Sequence, residues 1–536
     1  MVRAGLSLSQ ALPTFKELYC ACSGLWRSHF SIVEGVTFRI SMDVQNLSLN
    51  DKALEAEVAA ILSPLVIDKE KCRQLVEVFE SELDKGLKHG LAGSSLQMEN
   101  TFIPELLDGS EKGKFLALDL GGTNFRVILL ELENGKIKNE TIDYYSVEES
   151  LRCIYIMYAF FFEFMLSRLG PGVNLFKFLA ECIKDFIEKR NLKSIERMPL
   201  GFTFSFPMSQ AALDVGCLVN WTKSFNCPGV IGEDVVAMLN VALESVGVKN
   251  VSVVAILNDT TGTLVAGSHD TSDCAVGLIL GTGTNASYIE KAERVVRWGE
   301  GTARDTIVKE VIMDPETGAF GDNGCIDFIK TEWDRELDLA SLLSGIFFLV
   351  YFILLWYDYL FIKHILLGSF TFEKYFAGKY LGELVRLVFI GAITKIGQPV
   401  PECYAVAESL TTKDVSDIIT DIENPSDDVE LTIYKNIPNS TNKIILQHIC
   451  LLLSERAAVL VALTIATFLN RMARPYTVIA VTGSLYKLHP TLASRLEEHT
   501  KRLTKHKFSY QLCDDGSGKG AGLVAAIAQR LSDLGK

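Results

Sequence analysis

The chain has few basic residues and few histidines for its length. Lys and Arg number 52 against 66 Asp and Glu in 536 residues, so the formal net charge is −14. An excess of negative charge argues against double-stranded nucleic acid or an anionic membrane as the main partner. The 8 histidines form no cluster, and the 12 cysteines lack the paired spacing of a zinc site or a disulfide framework. We therefore expect reduced thiols in a cytosolic protein.

A complete P-loop is also missing. The segment DDGSGKGAG at residues 514–522 contains a Gly-Lys pair that matches part of this motif. However, Cys513 occupies the position of the first glycine, and Gly520 replaces the Ser or Thr that would hold Mg²⁺. A Gly-rich helix N-terminus can still receive a phosphate or a ribose. The segment therefore predicts a nucleotide contact without being a P-loop.

Length and periodicity predict two lobes behind a helical lead-in. A chain of 536 residues is too long for one ordinary core. Residues 1–41 have no periodicity and lack the cationic and apolar blocks of a secretory signal, so we interpret them as an extension outside the domains. From Met42 the pattern becomes helical, with one helix capped by Asn50 and another opened by Asp68. We expect this lead-in to pack and to do no chemistry.

Two glycine-rich hairpins form the strongest signal. KFLALDLGGTNFR at 114–126 and VGLILGTGTNASYIE at 276–290 each combine an apolar strand, a glycine turn and a second strand, and both contain Gly-Thr-Asn. Glycine lets backbone N–H groups approach phosphate oxygens, and a carboxylate such as Asp119 can hold a metal or its water. An ordinary Gly-Gly hairpin turn is the alternative for either copy alone. Together they predict two hairpins that grip one polyphosphate.

Polar residues follow other predicted strands. In VSVVAILNDTT, seven largely apolar residues deliver Asn258 and Asp259 to the carboxyl end of a strand, which is the usual position of reacting groups in open α/β sheets. A polar cap on the strand end is the alternative. The segments LGFTFSFP and NWTKSF contribute Ser205, Thr222 and Lys223, which could equally be solvated loop residues.

The motifs resemble the eukaryotic hexokinase and glucokinase family from about Met42 to the C-terminus. The resemblance is carried, in the family's order, by LDLGGTNFRV, LGFTFSFP, NWTKSF, LNDTTGTL, LGTGTNASY, GAFGDNG, YLGELVRL, TGSLYKLHP and DGSGKGAG. It implies an α/β, actin-like ATPase (ribonuclease H-like) fold, with two lobes and a sugar/ATP cleft between them. It also implies three units: a helical lead-in on the large lobe at 42–106, a small lobe at 107–257 and a large lobe at 258–536.

The same resemblance implies a function. We expect ATP-dependent phosphorylation of a hexose, most simply D-glucose, at the 6-hydroxyl, as the first step of glycolysis. ATP and Mg²⁺ would be the cofactors, fructose and mannose further substrates, and the protein a cytosolic monomer without nucleic-acid or membrane partners. A catalytically weakened hexose sensor is the alternative. An actin-like or chaperone ATPase is a third hypothesis, which the sugar-directed NWTK and LND motifs oppose.

Residue roles follow from the matched motifs. Asp259 would take the proton from the sugar 6-hydroxyl, and Lys223 would stabilise charge on the transferred phosphoryl group. The residues expected to bind the sugar are Ser205, Phe206, Thr222, Lys223, Asn258, Asp259, Asn285, Glu316 and Glu373. Those expected to bind ATP are Asp119, Leu120, Gly121, Gly122, Thr123, Asn124, Arg126, Thr282, Gly378, Lys379, Thr412, Ser416, Gly483, Ser484, Ser517, Gly518, Lys519 and Gly520. No side chain is expected to bind the metal directly, because Mg²⁺ would arrive with ATP and meet Asp119 through water.

The sequence departs from the family pattern in three places. Where the family has Asn-x-Glu-Trp-Gly, this chain reads Asp314-Pro315-Glu316-Thr317-Gly318, which puts the support of Glu316 in doubt. Apolar blocks at 151–167 and 342–371 interrupt the match, and we interpret them as translated non-coding sequence, with a membrane tether or a lineage-specific loop as alternatives. Leu339 to Tyr357 is uncharged and about 19 residues long, enough for a membrane span. A span there would divide the site between two sides of a bilayer, so we expect none.

Overall fold

The computed structural model describes most of the chain. The described residues are 47–121, 124–152, 171–221, 225–297, 308–341, 369–425, 433–434, 437 and 439–534. The N-terminal extension, most of the block at 151–167 and residues 342–368 of the second block therefore lie outside the described residues.

The strands of the described residues fall into two large sheets and one hairpin. They are β1 Glu99–Asn100, β2 Gly113–Leu120, β3 Asn124–Glu133, β4 Lys136–Ser146, β5 Met198–Phe204, β6 Met208–Ala212, β7 Val215–Leu218, β8 Val251–Leu257, β9 Cys274–Leu280, β10 Thr284–Lys291, β11 Glu310–Asp314, β12 Tyr476–Thr482 and β13 Lys507–Leu512. The six-stranded sheet has the order β1-β11-β10-β9-β12-β13, and the five-stranded sheet has the order β4-β3-β2-β5-β8. β6 and β7 form the hairpin.

The two large sheets share one topology. In each, three consecutive strands form an antiparallel meander. A fourth strand pairs in parallel with the first strand of that meander, and a fifth strand pairs in parallel with the fourth. The two predicted glycine hairpins are the first turns of the two meanders, β2 to β3 and β9 to β10. The repeated Gly-Thr-Asn therefore marks a duplicated structural unit.

Helices cover the sheets on both faces. They are α1 Lys52–Leu62, α2 Lys69–His89, α3 Glu149–Arg152, α4 Pro171–Lys189, α5 Val235–Ser245, α6 Asp259–Asp270, α7 Thr371–Lys374, α8 Leu381–Lys395, α9 Glu402–Ala405, α10 Thr412–Glu423, α11 Ser440–Met472, α12 Ser484–Leu488, α13 Leu492–Leu503 and α14 Gly516–Asp533. Residues 332–341 are also helical. Short 3₁₀ turns occur at Ser63–Leu65, Gly90–Ala92, Leu192–Ser194, Ala292–Arg294, Thr317–Ala319 and Asp327–Ile329.

Helices α6 and α14 fill the space between the two sheets. Their apolar residues share one buried cluster with side chains of both sheets. Glycine permits the close approach of the two helices, because a Cβ on Gly520 would lie 2.0 Å from the Gly262 carbonyl oxygen. On the outer faces, α4 and α5 cover the five-stranded sheet, whereas α2, α8 and α11 cover the six-stranded sheet. The lead-in helix α2 thus packs on the six-stranded sheet.

The long helix α11 is a core helix. Of the helices in the described part of the chain, it is the one long and apolar enough to cross a membrane, yet 94% of its most apolar window is buried inside the protein. It packs against α2, α8 and α13. Of the apolar stretch Leu339 to Tyr357, only the first three residues are described.

Local predictions differ from the structure at element ends. Asp51, not Asn50, caps α1, because its Oδ1 accepts from the backbone N–H groups of Ala53 and Leu54 at 2.9 and 3.1 Å. Asp68 caps α2 as predicted. The segment GSGKGAG forms the first turns of α14, and Asp515 directly precedes the helix. That helix packs on β2 and β5, so the end of the chain, predicted to belong to the large lobe, also contacts the smaller sheet.

Candidate active site

Asn258 and Asp259 lie at the junction of β8 and α6, as their strand-end pattern predicts. Asn258 caps the helix, with its Oδ1 accepting from the Thr260 backbone N–H at 3.0 Å. Its Nδ2 donates to Glu316 Oε1 at 3.2 Å. Asp259 is the first residue of α6 and is partly exposed. The helix start therefore presents a carboxylate and an amide toward the loop that carries Glu316.

Glu316 lies two residues after the end of β11 in a strained conformation. Its φ of 55° and ψ of 59° are left-handed, which is uncommon for a residue with a side chain. The Asp314 Oδ1 accepts from the Glu316 backbone N–H at 3.2 Å and so closes a local turn. Asp314, the acidic residue at the family's Asn position, therefore supports Glu316. The contacts of this loop show no loss of support for Glu316.

Asn285 on β10 is held on both ends of its amide. Its Nδ2 donates to Asp314 Oδ1 at 2.8 Å, and its Oδ1 accepts from the Thr317 backbone N–H at 2.9 Å. Burial raises the pKa of Asp314 to about 7, against the lowering effect of the Asn285 hydrogen bond, and the Asp259 charge adds to the rise. An amide and a carboxyl with a raised pKa thus lie beside the carboxylate at the helix start.

Glu373 on α7 lies beside the same loop. Its Oε2 accepts from the Thr284 backbone N–H at 2.9 Å, and a Cβ on Gly318 would lie 3.4 Å from the Glu373 Cβ. Glu373 therefore reaches the Glu316 loop with the apolar block at 342–371 present in the chain.

Ion pairs and backbone contacts anchor α7. Lys374 Nζ donates to Asp338 Oδ1 at 2.6 Å, and both side chains are buried. The Asp322 carboxylate accepts from the backbone N–H groups of Phe370 and Thr371 at 2.9 and 2.8 Å. These contacts join the two flanks of the second apolar block to the rest of the large lobe and hold Glu373 in place.

Ser205 and Phe206 follow β5 and differ in role. Ser205 is buried, and its hydroxyl has no hydrogen-bond partner within the described part of the protein. It faces the first glycine turn, since a Cβ on Gly121 would lie 3.9 Å from Ser205 Oγ and 3.7 Å from Asp119 Oδ1. The Phe206 ring packs against Trp221 with 4.8 Å between ring centroids. That ring therefore supports the loop instead of lining the polar site.

The first hairpin and the start of α14 form one polar cluster. Arg126 donates to the Asp119 carboxylate and, at 2.6 Å, to Asp515 Oδ1. Ser517 Oγ donates to Asp119 Oδ2 at 2.9 Å. A Cβ on Gly518 would lie 3.7 Å from the same oxygen. Four predicted ATP residues are thus together, and Asp515 joins them.

Other predicted ATP residues have different neighbours. Leu120 is buried in β2, and its side chain belongs to the small-sheet core. Lys519 Nζ lies 3.1 Å from Glu140 Oε2. Gly520 is buried against Gly262, so helix packing accounts for the glycine, and its contact with ATP stays a prediction. The glycine signal was ambiguous, because close packing and phosphate binding both require a missing Cβ.

The remaining predicted ATP residues lie in or near the second hairpin. The backbone N–H groups of Gly378 and Lys379 donate to the carbonyl oxygens of Gly281 and Thr282, each at 2.9 Å. Thr412 Oγ1 donates to the Gly378 carbonyl at 2.7 Å. Ser416 Oγ in turn donates to the Thr412 carbonyl at 3.1 Å, one turn further along α10.

The turn at Gly483 closes this side. Gly483 has a φ of 123°, and a Cβ there would lie 2.1 Å from the Leu280 carbonyl oxygen. Ser484 starts α12 directly after it, and a Cβ on Gly281 would lie 3.8 Å from the Ser484 backbone nitrogen. The second hairpin, the α7–α8 loop and the start of α12 are therefore adjacent.

Comparison with known proteins assigns the family. Family models described as hexokinase match residues 57–269 and 275–527. A solved structure of the hexokinase from Schistosoma mansoni, complexed with glucose, is 31% identical, with a TM-score of 0.72, covering 89% of this chain and 100% of that one. The chain belongs to the hexokinase family. A second hexokinase crystal structure is 28% identical, with a TM-score of 0.70 and coverage of 89% and 100%.

Curated relatives agree with this assignment. Mouse (Mus musculus) Hexokinase-1 is 35% identical over 494 residues, which are 89% of this chain and 46% of that protein. Rat (Rattus norvegicus) Hexokinase-2 is 35% identical over 497 residues, which are 89% of this chain and 48% of that protein. The chain thus spans about half the length of the curated relatives it matches. The expected actin-like ATPase fold is confirmed by the hexokinase structures.

Several predicted residues of this hexokinase lie outside the described residues. They are Gly122, Thr123, Thr222 and Lys223, together with the side chain of Asn124. Their roles stay predictions. Sequence reasoning in turn missed Asp314, Thr317 and Asp515, whose side chains or backbone orient predicted residues. For Asp314 and Thr317 a signal existed, since both depart from the family pattern.

Proposed function

We propose that this hexokinase transfers the γ-phosphoryl group of ATP to the 6-hydroxyl of a hexose, with D-glucose as the first substrate to test. One observation carries the proposal. Asn258 at the end of β8 hydrogen-bonds Glu316 at the end of β11, so polar side chains from both sheets meet beside Asp259. A hexose presents donors and acceptors around its ring, and such a mixed amide and carboxylate lining pairs with both kinds.

The buried Ser205 hydroxyl supports the same conclusion. A buried polar group without a partner costs about 1–3 kcal/mol, so such groups mark places where a ligand or water completes the site. A sugar hydroxyl would supply the partner that Ser205 lacks among the described residues. Asn285 and Glu373, which flank the second hairpin, would bind other hydroxyls.

Asp259 is the proposed general base. Its carboxylate would take the hydroxyl proton as the sugar oxygen attacks phosphorus, and Lys223 would face the transferred group. Mg²⁺ would arrive with ATP, and it neutralises charge on the phosphates when bound. Asp119 offers the hard oxygen that such an ion or its water prefers, next to Arg126 and Ser517. The described residues contain no group of three or more His, Cys, Asp or Glu that could hold a metal.

A coupled assay with ATP and glucose, fructose or mannose tests the proposal. We expect phosphorylation of glucose that depends on both ATP and Mg²⁺. Calorimetry with glucose alone separates the competing hypothesis, since a hexose sensor binds sugar without turnover. Absence of both binding and turnover would overturn the proposal.

We also propose a cytosolic monomer. Burial raises the pKa of seven thiols in the described part of the chain, which fits cysteines that stay reduced in the cytosol. Light scattering after size exclusion should give a mass near 59.3 kDa. A mass of twice that value at micromolar concentration would contradict the monomer.

A further inference from the structure

Asp314 links two residues of the proposed sugar site through one oxygen. It ends β11, and its side chain is buried. Its Oδ1 accepts from Asn285 Nδ2 at 2.8 Å and from the Glu316 backbone N–H at 3.2 Å. Asn285 on β10 and Glu316 in the loop after β11 therefore depend on the same carboxylate oxygen for their orientation.

We propose that Asp314 is the positioning residue of the sugar site and that it takes up a proton when the sugar binds. The proposal rests on the proposed function, because it assigns a role within the hexose site described above. It goes beyond the family pattern, since an Asn at this position can accept the same hydrogen bonds but carries no titratable group.

The hydrogen bonds leave the Asn285 amide one orientation. Its Oδ1 already accepts from the Thr317 backbone N–H and from Thr317 Oγ1, at 2.9 and 3.2 Å, so its Nδ2 must face Asp314. The second Nδ2 hydrogen meets only the Thr260 hydroxyl at 3.5 Å, a long contact. One donor of Asn285 is therefore weakly held.

Negative groups face Asp314 from three sides. Asp259 approaches from α6 and Glu99 from β1, where Glu99 is the register partner of Asp314. Glu316 belongs to the same loop. On this side Arg297 donates from Nη2 to the Gln97 carbonyl at 2.9 Å, and its charge opposes the burial that raises the pKa of Glu99. Burial of Asp314 among carboxylates disfavours its charged form.

The sign of the proton linkage follows from this environment. Burial raises the pKa of Asp314 to about 7, and the Asp259 charge adds to that rise. A bound sugar would displace water from the partly exposed Asp259 and Glu316. Their charges would then be screened less, which raises the pKa of the buried Asp314 again. Sugar binding near pH 7 should therefore take up a proton, and affinity should fall as pH rises. A shift of one pKa unit corresponds to a tenfold change in Kd across the titration.

Calorimetry of glucose binding without ATP tests this role. At pH 7, the full-length protein should show proton uptake as a difference in binding heat between buffers of different ionisation enthalpy. For a shift of one pKa unit above 7, its glucose Kd should rise about fivefold from pH 6 to pH 8. Asp314→Asn keeps the acceptor and removes the titration, so its Kd should change less than twofold over this range and its proton uptake should vanish.

Two more variants make the result decisive. Asp314→Ala removes the acceptor and should raise the glucose Kd at least tenfold at pH 6, with circular dichroism confirming the fold. Asp143→Asn is the control, because it makes the same change at a carboxylate on β4 that forms an ion pair with Arg190. This variant should keep the parent's proton uptake. Proton uptake in Asp314→Asn, its loss in Asp143→Asn, or its absence in the parent would overturn the inference. If the parent binds no hexose, the proposed function itself fails.

Discussion

Asn258 Nδ2 lies 3.2 Å from Glu316 Oε1, and this hydrogen bond joins the ends of strands that belong to different sheets. The chain separates the two residues by 58 positions. Neither sheet alone can therefore assemble the polar site, and a change in the relative position of the sheets must change the site. Such geometry suits an enzyme that completes its site when substrate binds.

Replacement of Asp259 should strongly reduce turnover and leave sugar binding largely intact. Asp259→Ala removes the proposed base, and we expect kcat to fall about 10²-fold or more, because general-base catalysis contributes that much. The glucose Kd, measured by calorimetry, should change less than threefold. Asp270→Ala, at the other end of α6 and exposed, is the matched control and should leave kcat unchanged. A kcat within threefold of the parent would show that Asp259 is not the base.

The fold was largely predictable because its signals are local. Strand periodicity before each glycine turn and the seven apolar residues before Asn258 require no knowledge of distant residues. The duplicated Gly-Thr-Asn predicted two equivalent hairpins, and the common topology of the two sheets follows. Element ends were less predictable, since Asn50 and Asp51 are both good caps and only the backbone geometry selects Asp51.

The supports of the site were not predictable from local pattern. Lys374 and Asp338 are separated by 36 residues, and nothing in either neighbourhood predicts their buried ion pair. Gly520 looked like a phosphate contact, although it is needed for the approach of α14 to α6. Such contacts depend on how distant elements meet, which single-sequence periodicity does not encode.

Gly483→Ala should disrupt the part of the proposed ATP site that the second hairpin and the start of α12 form. Any Cβ there lies 2.1 Å from the Leu280 carbonyl oxygen, and the φ of 123° is unfavourable for alanine. We expect the turn to shift and the KM for ATP to rise at least fivefold, with a lower Tm. Gly247→Ala is the control: its φ is 82°, yet nothing lies within 4 Å of an added Cβ. If both variants have the same KM for ATP, the clash at Gly483 has no effect on the nucleotide site.

Glu455→Gln should lower the free energy of unfolding at neutral pH but not in acid. Glu455 on α11 accepts from Arg495 and His499 of α13 at 2.7 and 2.8 Å, and these partners lower its pKa to about 2 although burial opposes the shift. Because the folded-state pKa lies below the usual value of 4.5 for a glutamate, the stabilisation is present above pH 4.5 and is lost as pH falls toward 2. It amounts to roughly 3 kcal/mol by linkage.

Thermal unfolding of both proteins checks this pH dependence. The Tm of the parent should exceed that of Glu455→Gln at pH 7, and the gap should narrow as pH falls from 5 to 3. Glu402→Gln, at an exposed carboxylate that starts α9, is the control and should follow the parent. A gap that is constant with pH would contradict the proposed origin of the stabilisation.

Excision of the second apolar block should raise the soluble yield without displacing Glu373. About 20 apolar residues added to a folded lobe need new partners, or they lie exposed and promote aggregation. The anchors of α7, Asp338 to Lys374 and Asp322 to the Phe370 and Thr371 backbone, are all outside 346–367. We therefore expect a protein with residues 346–367 and 151–167 replaced by short polar linkers to express better and to keep the parent's KM for glucose.

A second variant tests whether the anchors, and not the block, hold Glu373. Asp338→Asn in the excised protein leaves the buried Lys374 ammonium without its close carboxylate, and loss of one partner of a buried pair costs about 3–5 kcal/mol. The KM for glucose should then rise while the KM for ATP stays within twofold. Sequencing of the mature messenger RNA gives an independent measurement. If the message encodes both blocks and the excised protein is less active than the full chain, the blocks are functional parts of this hexokinase.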